Sequence, residues 1–307
     1  VGRLLAVAYL SLCLMFTAQA PPATDATTAA PAIATLRLYL IRHAETAANA
    51  ERIVAGHLES LLSATGRQQA AMLGDSVPWL RAIGTNGVHH YYISDMGRTQ
   101  ETAAGIFGIE RLPLVLEGDG SGVIVLERRI REQAKGAREG QPKAMLYQEA
   151  LKRYQGGSGE HNKEAVEVPF LEQESDVWRR TKSWLDDVAT EVYQQQHEAV
   201  CDSQATKNTV YSVVAVSHSA TIRVLCQNLV AGQLPSHVTT TPADENGSTP
   251  SHLKIPNTSV TVIDLELMAS NREDNGVPEN PTWKNPILRQ LAWTIASKDP
   301  LMGPLEE

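Results

Sequence analysis

The chain alternates short apolar runs with longer segments in which apolar residues recur every three or four positions. The short runs are rich in leucine, β-branched and aromatic residues, a composition and length that predict buried strands. They are Leu36–Ile41, Val88–Ser94, Tyr211–Val216 and Ser259–Leu265. Residues that follow the carboxyl ends of strands in an open α/β sheet line its ligand crevice, so the polar residues after these runs are candidates for a site.

The longer segments predict helices, because residues three and four apart share one face of a helix. They are Gly66–Ile83, a segment that ends at Phe107, Pro142–Tyr154, Ser175–His197 and Ser219–Val230. The apolar stripe of Ser175–His197, which includes Val177, Trp184 and Val192, is expected to face the core. Strands that alternate with helices build parallel sheets. The predicted fold class is therefore α/β with three layers, a mostly parallel sheet with helices on both faces.

Length and charge narrow the class of function. The 307 residues suit one α/β domain with appendages. The net charge of −8 disfavours nucleic acid or an anionic membrane surface as the main partner. A phosphate site in this chain therefore has to be locally cationic.

The first residues have the layout of a secretory signal peptide. Arg3 precedes an apolar run, Leu4–Phe16, and Ala18–Ala20 supplies the small residues of a cleavage site. The run is shorter than the about 20 apolar residues that span a bilayer, so no stable membrane span is expected. We expect residues 1–20 to direct the protein to the secretory pathway or the extracellular space. A retained anchor and a misplaced gene start are the alternatives, the latter with a cytoplasmic location.

The remaining chain divides by composition. Residues 21–35 are rich in alanine, threonine and proline and are expected to form a disordered linker. The folded domain is expected over residues 36–296, followed by a tail over residues 297–307. A polar insertion, Pro235–Pro256, interrupts the domain.

The cysteines do not indicate the function. Cys13 lies in the leader, and the three cysteines have no metal-ligand spacing. A bridge between Cys201 and Cys226 is left open. We expect neither a metal nor a cofactor.

Two histidines each follow a predicted strand and are the main candidates for chemistry. His43 comes after Leu36–Ile41, and His218 comes after Tyr211–Val216. Both are expected in one pocket, because parallel strands end at the same edge of a sheet. A neutral imidazole can attack phosphorus, while a second, protonated imidazole can hold the same phosphoryl group.

Arginine and glutamate side chains complete this chemistry. The guanidinium groups of Arg42 and Arg98 can bind phosphate through paired hydrogen bonds and offset the charge that develops on its oxygens. A glutamic acid in the pocket can give a proton to the leaving alkoxide, a contribution of about 10²–10⁴ in rate.

Five motifs in order along the chain resemble those of the histidine phosphatase superfamily, in its phosphoglycerate-mutase-like branch. They are Arg42–Thr46 with Asn49, Gly56, Leu62-Ser63, Gly66 and Gln69-Ala70; Ser94–Ala103; Arg131-Glu132 with Gly136 and Glu139-Gly140; Ser217-His218; and Asn257–Ser259. The resemblance runs from about Leu36 to Leu265. It implies a metal-free phosphomonoesterase that acts on a small phosphorylated metabolite.

The resemblance also implies roles for single residues. His43 would be the phosphorylated nucleophile and Glu132 the proton donor, with Glu127 as the fallback donor. The other phosphate-pocket residues would be Arg42, Asn49, Arg98 and His218. Two positions depart from the usual glycine: Ala44, which is expected to be tolerated, and Ser219, which would narrow the phosphate floor or donate a hydroxyl. His57 would contact substrate or cap a turn. For Asn49 the alternative to phosphate binding is likewise a cap on the local backbone.

The spacing around Arg131–Gly140 and the ending Asn257–Ser259 look most like the TIGAR-type fructose-2,6-bisphosphatases. That resemblance implies hydrolysis of fructose 2,6-bisphosphate or of 2,3-bisphosphoglycerate. A phosphoglycerate mutase and a secreted acid-type histidine phosphatase are the alternatives among enzymes. A catalytically silent phosphate-binding protein is the rival from another class, and it would be marked by the loss of His43 or of a pocket arginine.

Overall fold

Six strands form a single sheet in the computed structural model, which describes residues 32–81, 88–109, 123–145, 148, 169–201, 209–234, 253–268 and 282–297. In chain order the strands are β1 (Ala32–Arg42), β2 (Val88–Ile93), β3 (Val123–Leu126), β4 (Thr209–Ser217), β5 (Val260–Met268) and β6 (Thr282–Trp293). Their order across the sheet is β3-β2-β4-β1-β5-β6. The first four strands in this order pair in parallel, whereas β5 is antiparallel to both of its neighbours. The prediction of a mostly parallel sheet is confirmed.

Helices cover both faces of the sheet. In chain order they are α1 (Ala47–Ala50), α2 (Ala64–Ser76), α3 (Gly97–Phe107), α4 (Glu174–Cys201) and α5 (Ser219–Leu229). Short 3-10 turns span Pro78–Arg81, Arg128–Ile130, Gly136–Arg138 and Ala231–Gln233.

Alternate side chains of β1 enter two separate hydrophobic cores, because successive residues of a strand point to opposite faces. Leu38 packs in the core that contains Trp184 of α4 and Leu225 of α5. Ile41 packs in the core that contains Leu73 of α2. Burial of each such side chain stabilises the fold by about 1.5–3 kcal/mol. The two cores define the three predicted layers.

The linker boundary was wrong by four residues. Strand β1 begins at Ala32 rather than at Leu36. Ala34 is buried and pairs with Thr209 of β4, so residues 32–35 belong to the sheet.

The end of helix α2 also differs from the prediction. Helix α2 ends at Ser76 rather than continuing to Ile83, because a residue before proline, here Val77 before Pro78, avoids helical backbone angles. The predicted leader and residues 21–31 of the predicted linker lie outside the described residues. Of the helix predicted over Pro142–Tyr154, only residues 142–145 and 148 are described.

Two further expectations concern cysteine and the membrane. Cys226 is a free, buried thiol, so the bridge that the sequence left open is not formed. Within the described ranges, the helices lack the combination of length and apolar character that crossing a bilayer requires.

Candidate active site

The two histidines meet because they follow neighbouring parallel strands. Arg42 at the end of β1 pairs with Ser217 at the end of β4, and the backbone N–H of His43 donates to the carbonyl of Ser217 over 2.9 Å. The imidazole centroids of His43 and His218 lie 5.2 Å apart, with their planes inclined by 58°. The structure thus brings together the two histidines that the sequence placed in one pocket.

The surroundings of His43 fix it as a neutral imidazole with one free nitrogen. Its Nδ1 lies 2.7 Å from the carbonyl oxygen of Ala44, which can only accept, so Nδ1 carries the proton. Burial, followed by repulsion from Arg42 and Arg98, holds the pKa of His43 well below its ordinary value of 6.5. The lone pair is therefore on Nε2, where a nucleophile needs it.

His218 differs from the sequence expectation. A protonated imidazole was expected, but burial, followed by repulsion from Arg98, holds the pKa of His218 well below 6.5. Its Nδ1 accepts a hydrogen bond of 3.2 Å from Nε of Arg98, and its Nε2 lies 2.9 Å from Oγ of Ser94. His218 is thus a neutral group whose two ring nitrogens are both engaged.

The two pocket arginines, Arg98 buried and Arg42 half-buried, have no carboxylate partner among the described residues. Arg42 donates from Nη1 to the carbonyl of Ile255 over 2.6 Å, and its buried Nε has no hydrogen-bond partner among the described residues. Arg98 is 1% exposed and donates to the carbonyls of Gly56 and Leu58 over 2.7 and 2.9 Å. Neither arginine forms an ion pair within the described part of the chain. Since a buried charge is costly unless it is paired, the two groups mark a site for an anion.

Glu132 lies at the amino terminus of α5, beside the second histidine. Its Oε1 accepts hydrogen bonds from the backbone N–H groups of Gln133 (2.9 Å) and Ala220 (3.1 Å). Its Oε2 makes no hydrogen bond within the described residues. The electrostatic influence of Glu132 reaches both Arg42 and Arg98, which places this carboxyl group at the same pocket. One carboxyl oxygen is thus anchored while the other is available to a ligand.

The fallback donor, Glu127, has a structural role. It caps the 3-10 turn Arg128–Ile130 by accepting from the N–H of Arg129. It also pairs with the guanidinium of the same arginine over 2.8 Å. Of the two donors that the sequence offered, Glu132 is thus the one with an oxygen, Oε2, that makes no hydrogen bond within the described residues, and its role as proton donor stays a prediction.

The remaining predicted site residues lie around the pocket. Asn49 forms a capping box with Thr46, which matches its reading as a local cap, and its Oδ1 lies 3.4 Å from Nδ2 of Asn257. Ser219 is the first residue of α5 and is half-buried. His57 is exposed, and its Nε2 bonds to the carbonyl of Glu132 over 2.7 Å. The sequence did not predict this bond to the backbone of Glu132, and contact of His57 with substrate stays a prediction.

The alanine in place of the usual glycine is explained by packing. Ala44 is fully buried in a small cluster with Leu62 and Ala70. Its backbone N–H donates to Oγ1 of Thr102 over 2.9 Å. The extra methyl group therefore fills apolar space.

Sequence reasoning missed one cation of the site. Lys143 repels both His43 and Arg42 electrostatically, and burial followed by Arg42 lowers the pKa of its ammonium group. Lys143 forms no ion pair within the described residues. Lys143 lies in the segment Pro142–Tyr154, whose pattern predicts a helix and gives no sign of a ligand contact.

A metal site is not evident in the described ranges, since no three histidine, cysteine, aspartate or glutamate side chains there are grouped to hold an ion. The arrangement that is present combines a neutral nucleophile, unpaired cations and a carboxyl group. That combination defines the class of phosphoryl-transfer proteins that work through a histidine.

Comparison with known proteins agrees with this class. The model of the histidine phosphatase superfamily, branch 1, matches residues 38–268. The chain therefore belongs to the histidine phosphatase superfamily.

Curated relatives match over part of their length. The probable phosphoglycerate mutase GpmB of Enterobacter sp. (strain 638) is 38% identical over 105 residues, which cover 34% of this chain and 41% of that protein. The protein of the same name from Yersinia enterocolitica is 31% identical over 153 residues, which cover 49% of this chain and 62% of that protein. The chain thus spans less than two thirds of the length of these relatives.

Solved structures share the fold. "Mycobacterial hydrolase 2" superposes with a TM-score of 0.53 and 20% identity, covering 86% of this chain and 94% of that one. "Mycobacterial hydrolase 1" gives 0.51 and 22%, covering 84% and 99%. The α/β architecture of this chain is therefore shared with both of these solved structures.

Proposed function

We propose that this protein hydrolyses phosphoric monoesters through a phosphohistidine intermediate on His43. One observation carries the proposal: the unprotonated Nε2 of a buried, neutral His43 lies in a pocket with two guanidinium groups that have no carboxylate partner among the described residues. Arg98 is buried, and Arg42 is half-buried with a buried Nε that makes no hydrogen bond there. A phosphoryl group would supply the anion that these cations lack, next to the atom that attacks it.

The reaction would proceed in two displacements. The lone pair of His43 Nε2 attacks phosphorus, and the bond between phosphorus and the leaving oxygen breaks. That oxygen takes a proton from Glu132. Water then attacks the phosphorus of the phosphohistidine and gives a proton to the Glu132 carboxylate. The P–N bond breaks, and its electrons return to Nε2. Arg42 and Arg98 would stabilise the charge on the phosphoryl oxygens in both steps. His218 would hold the guanidinium of Arg98 in place through its Nδ1.

The substrate would carry a second anionic group. Lys143 is a further cation whose electrostatic influence reaches His43 and Glu132 and which has no ion pair within the described residues. A second phosphate or a carboxylate on the substrate would offset this charge. Fructose 2,6-bisphosphate and 2,3-bisphosphoglycerate, the substrates implied by the TIGAR-type resemblance, both meet this requirement.

The leader bears on the choice of substrate. If residues 1–20 direct the protein to the secretory pathway, the enzyme would not meet cytosolic sugar bisphosphates and would act as an acid-type phosphatase on another phosphoester. Fractionation of cells that express the full chain, with and without residues 1–20, tests this location. Full-length protein in the cytoplasm would support a sugar bisphosphate, and processed protein outside it would support the secreted alternative.

A mutase activity is the second candidate, favoured by the names of the relatives, which are probable phosphoglycerate mutases. A mutase keeps the phosphoryl group on the enzyme and returns it to the product, so it has to exclude water from the phosphohistidine. Both activities use His43, but the phosphoryl group passes to water in the hydrolase and back to the product in the mutase.

The test is phosphate release by the purified full chain without added metal. The substrates are fructose 2,6-bisphosphate, 2,3-bisphosphoglycerate, 3-phosphoglycerate and an activated aryl phosphate. His43→Ala is expected to lower turnover by about 10³-fold or more. His90→Gln is the matched control, because His90 is a buried histidine that lies within β2, before the strand end, and contacts Glu191 of α4.

The outcomes separate the candidates. Release of inorganic phosphate that depends on His43 supports hydrolysis, and the preferred ester identifies the substrate class. Conversion of 3-phosphoglycerate to 2-phosphoglycerate without phosphate release would support the mutase. Full activity in a folded His43→Ala protein would reject the phosphohistidine route.

A further inference from the structure

Three consecutive residues, 56–58, contact two parts of the active site at once. The carbonyl oxygens of Gly56 and Leu58 accept from the guanidinium of Arg98 over 2.7 and 2.9 Å. The residue between them, His57, bonds in the other direction, toward the segment that carries Glu132. This three-residue bridge therefore joins the phosphate-binding arginine to the acid.

The donor and the acceptor of the hydrogen bond between His57 and Glu132 can be assigned. Its Nε2 lies 2.7 Å from the backbone carbonyl of Glu132. A carbonyl oxygen only accepts, so Nε2 is the protonated nitrogen and donates. Because the bond is to the backbone of Glu132, it restrains the peptide from which the acid's side chain extends.

The side chain of Glu139 also binds the three-residue bridge. Its Oε1 accepts from the backbone N–H groups of both His57 and Lys135, each over 2.8 Å. Glu139 thus ties the bridge to the segment that follows the acid. A carboxylate that holds two backbone donors forms stronger hydrogen bonds than a neutral acceptor.

The backbone of Gly56 accommodates this carboxylate. Gly56 has a φ of +51°, in the left-handed region, and a Cβ atom there would lie 2.2 Å from Oε1 of Glu139. The bridge and the carboxylate therefore fit together only with glycine at this position.

We propose that His57 and Glu139 are positioning residues that set the place of the Glu132 carboxyl group relative to Arg98. This inference rests on the proposed function, in which Glu132 protonates the leaving oxygen. Neither side chain touches the reacting atoms in this role. Their effect is to keep the acid within reach of a leaving group whose phosphoryl end is held by Arg98.

The position of the Glu132 carboxyl group should affect the rate most for substrates whose leaving group needs a proton. A poor leaving group, such as a sugar alkoxide, requires protonation, whereas an activated aryl oxide leaves without it. Displacement of Glu132 should therefore slow sugar phosphates and spare aryl phosphates. A general loss of structure would slow both alike.

The experiment compares Glu139→Ala with Glu139→Gln in the full chain. Alanine removes the acceptor of both hydrogen bonds, and glutamine keeps an oxygen that can accept them. We expect Glu139→Ala to lower kcat for an alkyl phosphate by about 10- to 100-fold and kcat for an activated aryl phosphate by less than about threefold. Glu139→Gln should recover most of the alkyl activity.

A second pair keeps the test informative if Glu139→Ala does not fold. His57→Ala removes the donor to Glu132, and His57→Gln retains an N–H at a similar reach, so the same selective loss and recovery are expected. Equal slowing of both substrates, or no slowing of either, by folded His57→Ala and Glu139→Ala proteins would overturn the inference.

The proposed function can fail separately. His43→Ala, assayed beside these variants, reports on the phosphohistidine route. If His43→Ala is inactive while the Glu139 and His57 variants show no selectivity between leaving groups, the positioning role is wrong and the phosphatase reaction stands. If His43→Ala is active, the proposed function itself is wrong.

Discussion

Nε of Arg98 on α3 donates a hydrogen bond of 3.2 Å to Nδ1 of His218 at the end of β4. The guanidinium thereby orients the second histidine while its Nη atoms hold the carbonyls of Gly56 and Leu58. One side chain thus links a helix, a strand end and the bridge over residues 56–58. The planar fork of arginine is what allows three directions at once.

Replacement of Arg98 by lysine should therefore be damaging although the charge is kept. Lysine offers a single ammonium group that cannot span these partners. We expect Arg98→Lys to lower kcat/KM by about 10- to 100-fold, which corresponds to the loss of one or two charge-assisted hydrogen bonds. The loss in kcat/KM is measured by steady-state kinetics with an aryl phosphate. Arg67→Lys is the matched control, because Arg67 is 58% exposed and its ion pair with Glu101 is long, at 3.6 Å.

Glycine at position 56 should be required for activity. A methyl group there would lie 2.2 Å from Oε1 of Glu139, at a φ that alanine disfavours. The bridge has to shift, and the carbonyl that holds Arg98 shifts with it, so we expect Gly56→Ala to lower kcat/KM by about tenfold or more.

Gly232→Ala is the control for this substitution, since a methyl group added at Gly232 would have no described atom within 4 Å. It should leave kcat/KM unchanged. Equal activity of the two alanine variants would contradict the role given to Gly56.

The meeting of the two histidines in the candidate site was predictable because it depends on strand ends. His43 and His218 each follow an apolar run, and parallel pairing of neighbouring strands brings such ends together whatever the intervening chain does. Arg98 and the start of α3 follow β2 in the same way.

Contacts that depend on loop paths were not predictable. His57 bonds to a backbone carbonyl at Glu132, a group that every residue possesses, so no sequence pattern marks the pair. Strand β6 was also missed, because it contains Pro286 and has a left-handed φ at Asn285. An edge strand tolerates such residues, since one side of it needs no hydrogen bonds.

A buried ion pair in the middle of the sheet should affect stability and not catalysis. Arg37 on β1 contacts Asp264 on β5 through two hydrogen bonds of 2.7 and 2.8 Å, and both side chains are at most 3% exposed. Asp264→Asn leaves a buried guanidinium without its counter-charge, so we expect a loss of about 3–5 kcal/mol in the free energy of unfolding.

Urea denaturation measures this loss, with Arg179→Ala as the control. The ion pair of Arg179 with Asp176 is exposed, at 76% and 40%, and should contribute about 0–1 kcal/mol. Folded Asp264→Asn protein should keep its kcat, because Arg37 lies five residues before Arg42 along β1, about 16 Å from the pocket. A loss as small as that of the control would show that the pair is not needed for stability.

Acid should destabilise the protein through its two pocket histidines. Burial holds the pKa values of His43 and His218 well below 6.5, so the folded state stays unprotonated where the unfolded chain binds protons. Stability therefore rises with pH through this range and is lost as the pH falls from 6.5 toward the folded pKa values. Each histidine should contribute to the loss of stability as the pH is lowered from about 6.5 to about 5.

The measurement is the free energy of unfolding by urea at these two pH values, for the wild type and for a His43→Gln, His218→Gln double variant. The variant lacks both titrating groups, so its stability should fall less steeply than that of the wild type over the interval. Above pH of about 8 the unfolded histidines are neutral as well, and the two proteins should show the same pH dependence there. Parallel curves at acidic pH would mean that the histidines bind protons in the folded state, which would also remove the neutral His43 on which the proposed reaction depends.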